Sequence, residues 1–170
     1  LAPVKSANLR IRPGGVLQLE VTERVPALVW RSADGLRLLD AEGHAVRAIE
    51  ARAERPDLPL IVGTGADAHV SEARALLSAA RPVAPRVRGL VRVGERRWDL
   101  VLDRGQRIML PAERPRRALD RVLAMDGAQD LLARDVRAVD MRLAGRPTLR
   151  LAPAAMEELH RIRRIEWGED

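Results

Sequence analysis

Residues 87–111 read VRGLVRVGERRWDLVLDRGQRIMLP, and this stretch decides the fold. From Val87 to Val93, valine or glycine occupies every second position. This period of 2 is typical of a β-strand with one buried face. Similar alternation recurs in RWDLVL after Gly94-Glu95 and in RIML after the turn at 103–105. The stretch therefore predicts three antiparallel strands in a row.

The two turns inside this stretch determine which strand residues lie opposite each other. Gly94-Glu95 suits a two-residue turn with glycine at its first central position. The second turn suits a three-residue loop that ends in a left-handed Gly105, and this loop sets Leu100 against Ile108. A slip of one residue would turn every side chain to the other face, so the agreement over both turns indicates a sheet.

The rest of the chain carries further strand and helix patterns. Alternation and short apolar runs beside turn residues predict strands within 8–23, 28–39, 44–49, 60–62 and 136–151. Helical spacing predicts one helix from Asp67 to about Ala80 and a second from Pro115, with an arginine-rich outer face and a break at Gly127. A short basic helix is expected from Pro153. The predicted fold class is α+β, an antiparallel β-meander sheet with two or three helices packed on it.

The last predicted hairpin, 136–151, has potential as a binding surface. An odd-length loop at its centre would align Leu143 with Leu149 and Met141 with Leu151. If this hairpin ends the sheet, its backbone groups can pair with another chain, and its alternating apolar and arginine positions suit an acidic, amphipathic partner. The same pattern also fits a hairpin that completes the core. Periodicity leaves both interpretations open.

The composition is that of a folded domain. Of the 170 residues, 46% are hydrophobic, which is enough to bury a core. The sequence has no run of about 18 apolar residues, the length that could cross a membrane. Because the chain starts at Leu1 without Met or a signal-like segment, we expect that something upstream has been removed or left out.

The charge balance argues against a nucleic-acid partner. The chain has 30 basic and 24 acidic residues, a formal net charge of +6. The basic residues are spread along every predicted element, with clusters at 114–117 and 161–164. Aromatic residues, on which single-stranded nucleic acids stack, make up 2%. We therefore expect no nucleic acid among the partners.

No motif in the sequence indicates catalysis. His44, His69 and His160 lack ligand spacing, and cysteine is absent, so we expect no metal site and no disulfide. The Gly63-Thr64-Gly65 stretch lacks the lysine of a P-loop and the third glycine of a dinucleotide fingerprint, which favours a strand-to-helix turn. No serine lies in a G-x-S-x-G setting. The chain is predicted to be no enzyme, with no cofactor and no small-molecule substrate.

Five motifs share their order and spacing with a known family. They are VTERVPALVW at 21–30, LDAEG at 39–43, LPLIVG at 58–63, RWDLVLDRG at 97–105 and VDMRL at 139–143. Over residues 4–153 the chain resembles the FtsQ/DivIB family of bacterial cell-division proteins.

The resemblance implies a single-pass inner-membrane protein, anchored by an N-terminal helix that this chain lacks. Residues 1–26 would be the C-terminal part of a small POTRA domain, so that its terminal strands precede the main sheet. Residues 27–155 would be the FtsQ-type β domain, and 156–170 a C-terminal tail. The chain would then lie in the periplasm at the division site.

The resemblance also implies a function, that of a non-catalytic divisome scaffold needed for septum assembly. Such a protein binds the periplasmic segments of FtsB and FtsL, and other divisome proteins, by β-strand addition at its last strands and through the neighbouring helix. Arg142 would pair with a partner carboxylate. The implied partner-binding residues are Val139, Met141, Arg142, Leu143, Leu149 and Leu151. The alternatives are a periplasmic POTRA-type assembly factor and a basic nucleic-acid-binding module.

Overall fold

The computed structural model describes residues 3–143, 145–157 and 161. The strands are β1 (Val4–Arg12), β2 (Val16–Glu23), β3 (Leu28–Ser32), β4 (Gly35–Leu39), β5 (Ala45–Ile49), β6 (Leu60–Val62), β7 (Val87–Val93), β8 (Arg97–Leu102), β9 (Arg107–Met109), β10 (Val136–Asp140) and β11 (Thr148–Leu151). The helices are α1 (Val70–Ala79) and α2 (Pro115–Gln129), and residues 153–157 are also helical. The predicted α+β class is confirmed. No helix among these residues is long and apolar enough to cross a bilayer.

The predicted tail, 156–170, lies outside the described residues except for 156, 157 and 161. The chain divides into two compact units. The first comprises Leu1–Arg74 and Gly89–Glu95, and the second comprises Ala75–Arg88 and Arg96–Asp170.

The first unit contains the separate hairpin β1-β2 and strands in the order β7-β6-β3-β4-β5. β4 is antiparallel to both of its neighbours, β3 and β5, which confirms the hairpin predicted within 28–39. The hairpin predicted within 8–23 is also confirmed. β6, in contrast, runs parallel to both β3 and β7.

The strands β3, β4 and β5 share an apolar cluster. Val29, Leu38, Val46 and Ile49 pack together, each at most 7% exposed. The turn at Asp34-Gly35 sets Val29 opposite Leu38. The alternation seen in the sequence therefore places these side chains on one buried face.

Gly63 ends β6 where two backbones come close. Its φ is +115°, and a Cβ at this position would lie 2.6 Å from the carbonyl oxygen of Arg92. Its own carbonyl accepts a 2.9 Å hydrogen bond from Trp30 Nε1. The positive φ and the close approach of Arg92 require glycine, so the 63–65 stretch has a structural role, as the sequence favoured.

Asp40 closes the turn after β4 with a buried carboxylate, 3% exposed. Oδ1 accepts hydrogen bonds from the backbone N–H groups of Glu42 (3.0 Å) and His44 (2.8 Å), and Oδ2 accepts one from Arg24 Nη1 at 2.5 Å. Burial by itself raises the pKa of Asp40, but these donors outweigh burial and hold the pKa below its ordinary value of 3.8. Asp40 therefore stabilises the first unit as a carboxylate.

Asp40→Asn should lower the free energy of unfolding at neutral pH by about 1–2 kcal/mol, because charge-assisted hydrogen bonds become neutral ones. The folded pKa lies below the unfolded pKa. The stabilisation is therefore present above the unfolded pKa and is lost as the pH falls through the folded pKa. Urea unfolding of wild type and variant at pH 6 and pH 2.5 measures this difference. An equal difference at both pH values would contradict the role given to the carboxylate.

The second unit contains the strands in the order β11-β10-β9-β8. β8 and β9 are antiparallel with Leu100 opposite Ile108, which confirms the predicted register. β9 and β10 are parallel. A parallel pair needs a long connection, which α2 provides between these two strands. The simple antiparallel meander predicted from the sequence did not include the parallel pairing of β9 with β10.

The turn before β8 has positive φ at both central residues, 56° at Gly94 and 54° at Glu95. Both central residues are left-handed in a type I′ turn, whose twist matches that of antiparallel strands. The sequence predicted a two-residue turn here, with a positive φ expected at Gly94 but not at Glu95.

α2 begins at Pro115, as predicted, and continues through Gly127 to Gln129. The predicted break at Gly127 is wrong. One glycine in an exposed helix position costs about 1 kcal/mol, which the helix tolerates. The C-cap of the helix is Asp130, which has a left-handed φ of 51°. Leu131 and Leu132 then extend the apolar face, buried in a short 3₁₀ turn.

Candidate partner-binding site

β11 lies at the open edge of its sheet. Among the described residues it pairs with β10 and with no second strand. Its first three residues are exposed and Leu151 is half-buried. An edge strand presents backbone N–H and C=O groups that lack a neighbour in the sheet, and an added strand can bind them. The backbone of β11 is therefore a candidate docking site.

The register of the last hairpin differs from the predicted one. The predicted pairs, Leu143 with Leu149 and Met141 with Leu151, are wrong, and the observed pairs are Val139 with Leu149 and Val136 with Leu151. β10 ends at Asp140, whose Oδ1 accepts the backbone N–H of Arg142 at 3.0 Å. This local turn competes with continuation of the strand. Leu143 consequently lies in the connection between β10 and β11.

An apolar row crosses the four strands of this sheet on one face. Leu100, Ile108, Val139 and Leu149 follow one another as direct neighbours from β8 to β11. The first three are 0%, 0% and 1% exposed, whereas Leu149 is 45% exposed. The row is therefore buried up to the edge strand, and its last side chain is open to a further neighbour.

The six residues implied by the resemblance fall into two groups. Val139 and Met141 are each 1% exposed, so their side chains belong to the core and are not accessible to a partner. The other four are exposed or half-buried: Arg142, Leu143, Leu149 and Leu151. The first two lie in the turn after β10 and the last two on β11, so the structure brings this group to one sheet edge.

Asp140 and Arg142 form a tight ion pair at the end of β10. Arg142 Nη2 donates to Asp140 Oδ2 at 2.5 Å, and Nε lies 2.9 and 3.0 Å from the two carboxylate oxygens. The guanidinium of Arg142 holds the pKa of Asp140 below its ordinary value, and the carboxylate raises the pKa of Arg142 in turn. Both groups are therefore charged throughout the neutral range.

A second carboxylate, Asp99, lies on the same face of the sheet as Asp140. Met109 is opposite Asp99 on one side and Asp140 on the other. Asp99 is 2% exposed, with Arg97 Nε 3.8 Å and Arg107 Nη1 3.6 Å from its oxygens. Burial raises the pKa of Asp99, and the nearby arginines offset part of that effect. Charges of alternating sign therefore surround the end of β10.

A cavity of about 630 Å³ opens beside α2 and the end of β10. Among the described residues its charged lining is mainly cationic: Arg114, Arg117, Arg121, Arg142 and Glu113. Arg117 and Arg121 are four residues apart and share one face of α2, and Arg114 is the residue just before the helix. The first turn of the helix contains no acidic residue, so the helix dipole adds to the positive potential. The cavity suits a carboxylate-rich partner.

Gln106 anchors the chain that leads into β10, and no sequence motif singled it out. Its side chain is buried, and Nε2 donates to the carbonyl oxygens of Leu132 (3.1 Å) and Val136 (2.8 Å). Oε1 accepts a 2.6 Å hydrogen bond from Arg86 Nη2. These bonds tie the start of β9 to the start of β10, and they help to set the position of the edge.

The first unit also has a sheet edge, at β5, but side chains protect it. Arg47 Nη1 donates to the Ala48 carbonyl oxygen at 3.2 Å and pairs with Glu54 at 3.2 Å. Glu54 Oε1 accepts the backbone N–H groups of Glu50 (2.7 Å) and Ala51 (3.2 Å). The pairing of β5 with β4 also contains a register shift. Such features oppose strand addition, so β11 is the better candidate.

One group of possible metal ligands occurs within the described residues. Atoms of Asp40, Glu42 and His44 lie within 4.8 Å of one another. The Asp40 carboxylate already accepts hydrogen bonds from two backbone N–H groups and from Arg24. The closeness of these residues therefore follows from the turn that Asp40 closes.

The fold and the site together define an α+β domain with an open strand edge. A family model described as Cell division protein FtsQ/DivIB, C-terminal, matches residues 28–142. Cell division protein FtsQ of Roseobacter litoralis is 56% identical over 165 residues, which cover 97% of this chain and 56% of that protein. The FtsQ of Cereibacter sphaeroides is 54% identical over 163 residues, 96% of this chain and 53% of that protein. The FtsQ of Zymomonas mobilis is 33% identical over 157 residues, 91% of this chain and 49% of that protein.

The chain therefore belongs to the FtsQ/DivIB family of cell-division proteins, which confirms the resemblance seen in its motifs. It spans about half the length of the curated relatives it matches. Membership of this family supports a role in cell division.

Proposed function

We propose that this chain is part of a non-catalytic divisome scaffold that binds the periplasmic segments of FtsB and FtsL by strand addition at β11. In this proposal the full-length protein is anchored in the inner membrane by an N-terminal helix. The chain lies in the periplasm at the division site, and its binding is needed for septum assembly. Family membership and the open edge of β11 support this function.

The observation that carries the proposal is the apolar row that ends at Leu149. Three of its four members are almost fully buried, and the fourth is 45% exposed at the edge strand. A partner strand beside β11 would place a fifth side chain next to Leu149, and cross-strand apolar pairs of this kind stabilise a sheet. The added backbone hydrogen bonds would provide affinity, and the apolar contact would favour one register.

The charges beside the edge indicate the chemistry of the partner. Arg142 lines both the 630 Å³ cavity and a smaller cavity of about 310 Å³ near Leu143. The arginine-rich face of α2 continues this positive surface. An incoming segment with apolar residues on one face and carboxylates on the other would satisfy both surfaces. Such charge complementarity mainly raises the association rate and the specificity.

We further propose that residues 1–26 are the C-terminal part of a POTRA domain and that 27–155 form the β domain. β1 and β2 make a sheet of their own. The pairs Leu9–Leu19 and Ile11–Leu17 lie on one face of it, with each side chain at least 60% exposed. An isolated two-stranded hairpin is marginal in water, so this apolar face fits a piece of a larger domain.

Leu143→Asp should greatly weaken binding of the FtsB periplasmic segment while the fold stays intact. Leu143 is 68% exposed, so its replacement costs little folding free energy. In the complex, the variant would lose an apolar contact, and its new carboxylate would repel an acidic partner. Together these effects should raise the Kd at least about tenfold. Calorimetric titration with the FtsB segment from the same genome, at two salt concentrations, measures this effect.

Val25→Asp is the matched control, because Val25 is 78% exposed and undergoes the same change of charge outside the last hairpin. We expect it to bind like the wild type, with weaker binding at high salt for both. Equal losses in the two variants would indicate a nonspecific charge effect. A folded wild type that does not bind FtsB would overturn the proposed function.

A further inference from the structure

We propose that Asp140 is a positioning residue for partner binding, because it holds the guanidinium of Arg142 in the orientation that receives a carboxylate from the incoming strand. This inference rests on the proposed function and adds a residue to its site. Asp140 itself would make no contact with the partner.

The geometry of the ion pair leaves part of Arg142 available. Asp140 binds the guanidinium from the side, through Nε and Nη2. Within the described residues these contacts do not use Nη1. A guanidinium has five N–H donors in a rigid planar fork, so its Nη1–Nη2 edge can bind a second carboxylate while Asp140 keeps the first edge.

The surroundings leave Arg142 accessible to a partner. The side chain of Arg142 is 46% exposed, and that of Asp140 is 26% exposed. Arg142 lines two cavities, one shared with Arg114 and Arg117 and the other with Asp140 and Leu143. A partner carboxylate can therefore approach Arg142 without displacing Asp140.

Asp140 is itself fixed by the backbone. Its Oδ1 accepts the N–H of Arg142 at 3.0 Å, the hydrogen bond that ends β10. The carboxylate is thus held by the fold and in turn restrains a long side chain. A free arginine loses considerable rotamer freedom when a partner immobilises it, whereas a restrained arginine has lost that freedom before binding. The ion pair therefore prepares Arg142 for binding.

The test is a double-mutant cycle on affinity for the FtsB segment, with wild type, Asp140→Asn, Arg142→Gln and the double variant. Asparagine keeps an oxygen that can accept the backbone N–H, so the turn is retained. Asp140→Asn alone should raise Kd about fivefold, the effect of leaving one long side chain unrestrained. In the Arg142→Gln background it should change Kd less than about twofold, because Asp140 acts through Arg142.

A matched control is Asp57→Asn. Asp57 accepts hydrogen bonds from Nε (2.9 Å) and Nη2 (2.7 Å) of Arg55, also two residues away, in the first unit. This variant removes the same charge and the same type of ion pair, and it should bind like the wild type. Thermal unfolding of Asp140→Asn and Asp57→Asn verifies that each variant keeps the fold.

Each outcome of the cycle has a definite meaning. An unchanged affinity of Asp140→Asn, with normal binding by the wild type, would overturn this inference alone. A tighter affinity would also overturn it and would indicate that Asp140 competes with the partner for Arg142. An equal loss in the presence and absence of Arg142 would assign Asp140 a merely structural role and would also overturn it. No binding by the wild type would overturn the proposed function together with the inference.

Discussion

Leu149→Asp is expected to raise the Kd for the FtsB periplasmic segment at least thirtyfold, roughly 2 kcal/mol of binding free energy. Leu149 is the exposed end of a row that is otherwise buried. In the proposed complex, a partner side chain covers it, so an aspartate there would be desolvated beside apolar groups and an acidic segment. Calorimetric titration measures the loss, and urea unfolding should show that stability changes by less than about 1 kcal/mol.

The control for this variant is Arg150→Gln. Arg150 is the next residue of β11 and is exposed, and its side chain points to the opposite face of the strand. Both changes make the chain one unit more negative. We expect Arg150→Gln to weaken binding only about twofold, as for a charge at the rim. If Arg150→Gln removed binding as completely as Leu149→Asp, overall charge rather than the apolar row would govern the interaction.

Leu100→Ala is expected to lower the free energy of unfolding by about 3 kcal/mol, the usual cost of truncating a fully buried leucine. Leu100 is 0% exposed and occupies the far end of the same row on β8. Its removal leaves a cavity that the neighbouring side chains fill only in part. Urea unfolding followed by circular dichroism gives the change in the midpoint, provided that the slope stays constant.

Leu149→Ala makes the comparison direct, because the two leucines belong to one row and differ in exposure. We expect Leu149→Ala to cost less than about 1 kcal/mol of stability but about tenfold in Kd for the FtsB segment. Folded Leu100→Ala should bind nearly as tightly as the wild type. If Leu149→Ala destabilised the chain as much as Leu100→Ala and left binding unchanged, the last hairpin would serve the core and not a partner.

Local sequence patterns predicted most of the elements, because turn residues and alternation act over a few neighbouring positions. The loop ending in Gly105 set Leu100 opposite Ile108, and the structure has the same register. The turn at Asp34-Gly35 likewise joins two paired strands. The parallel pairing of β9 and β10 joins strands that are separated by a helix. Local patterns reach only a few residues along the chain, so they did not predict it.

The candidate site was predicted less completely than the fold. The motif at 139–143 pointed to the end of β10, but periodicity alone continued the strand through Leu143. The backbone N–H of Arg142 donates to Asp140 Oδ1, and this turn ends the strand at Asp140, where the register with β11 differs from the predicted one. The arginine-rich face of α2 was visible as helical spacing. Its place beside Arg142 depends on contacts between segments that are distant in the sequence.

By itself, the sequence determined the α+β class, the main turns and, through five spaced motifs, the family. These properties depend on the order of residues along the chain. Tertiary structure alone decided that the apolar row ends at an exposed Leu149, that Val139 and Met141 are buried, and that Asp140 pairs with Arg142. The reason is physical: exposure depends on which strands become neighbours and where the sheet stops, and the pattern of a single strand does not contain that information.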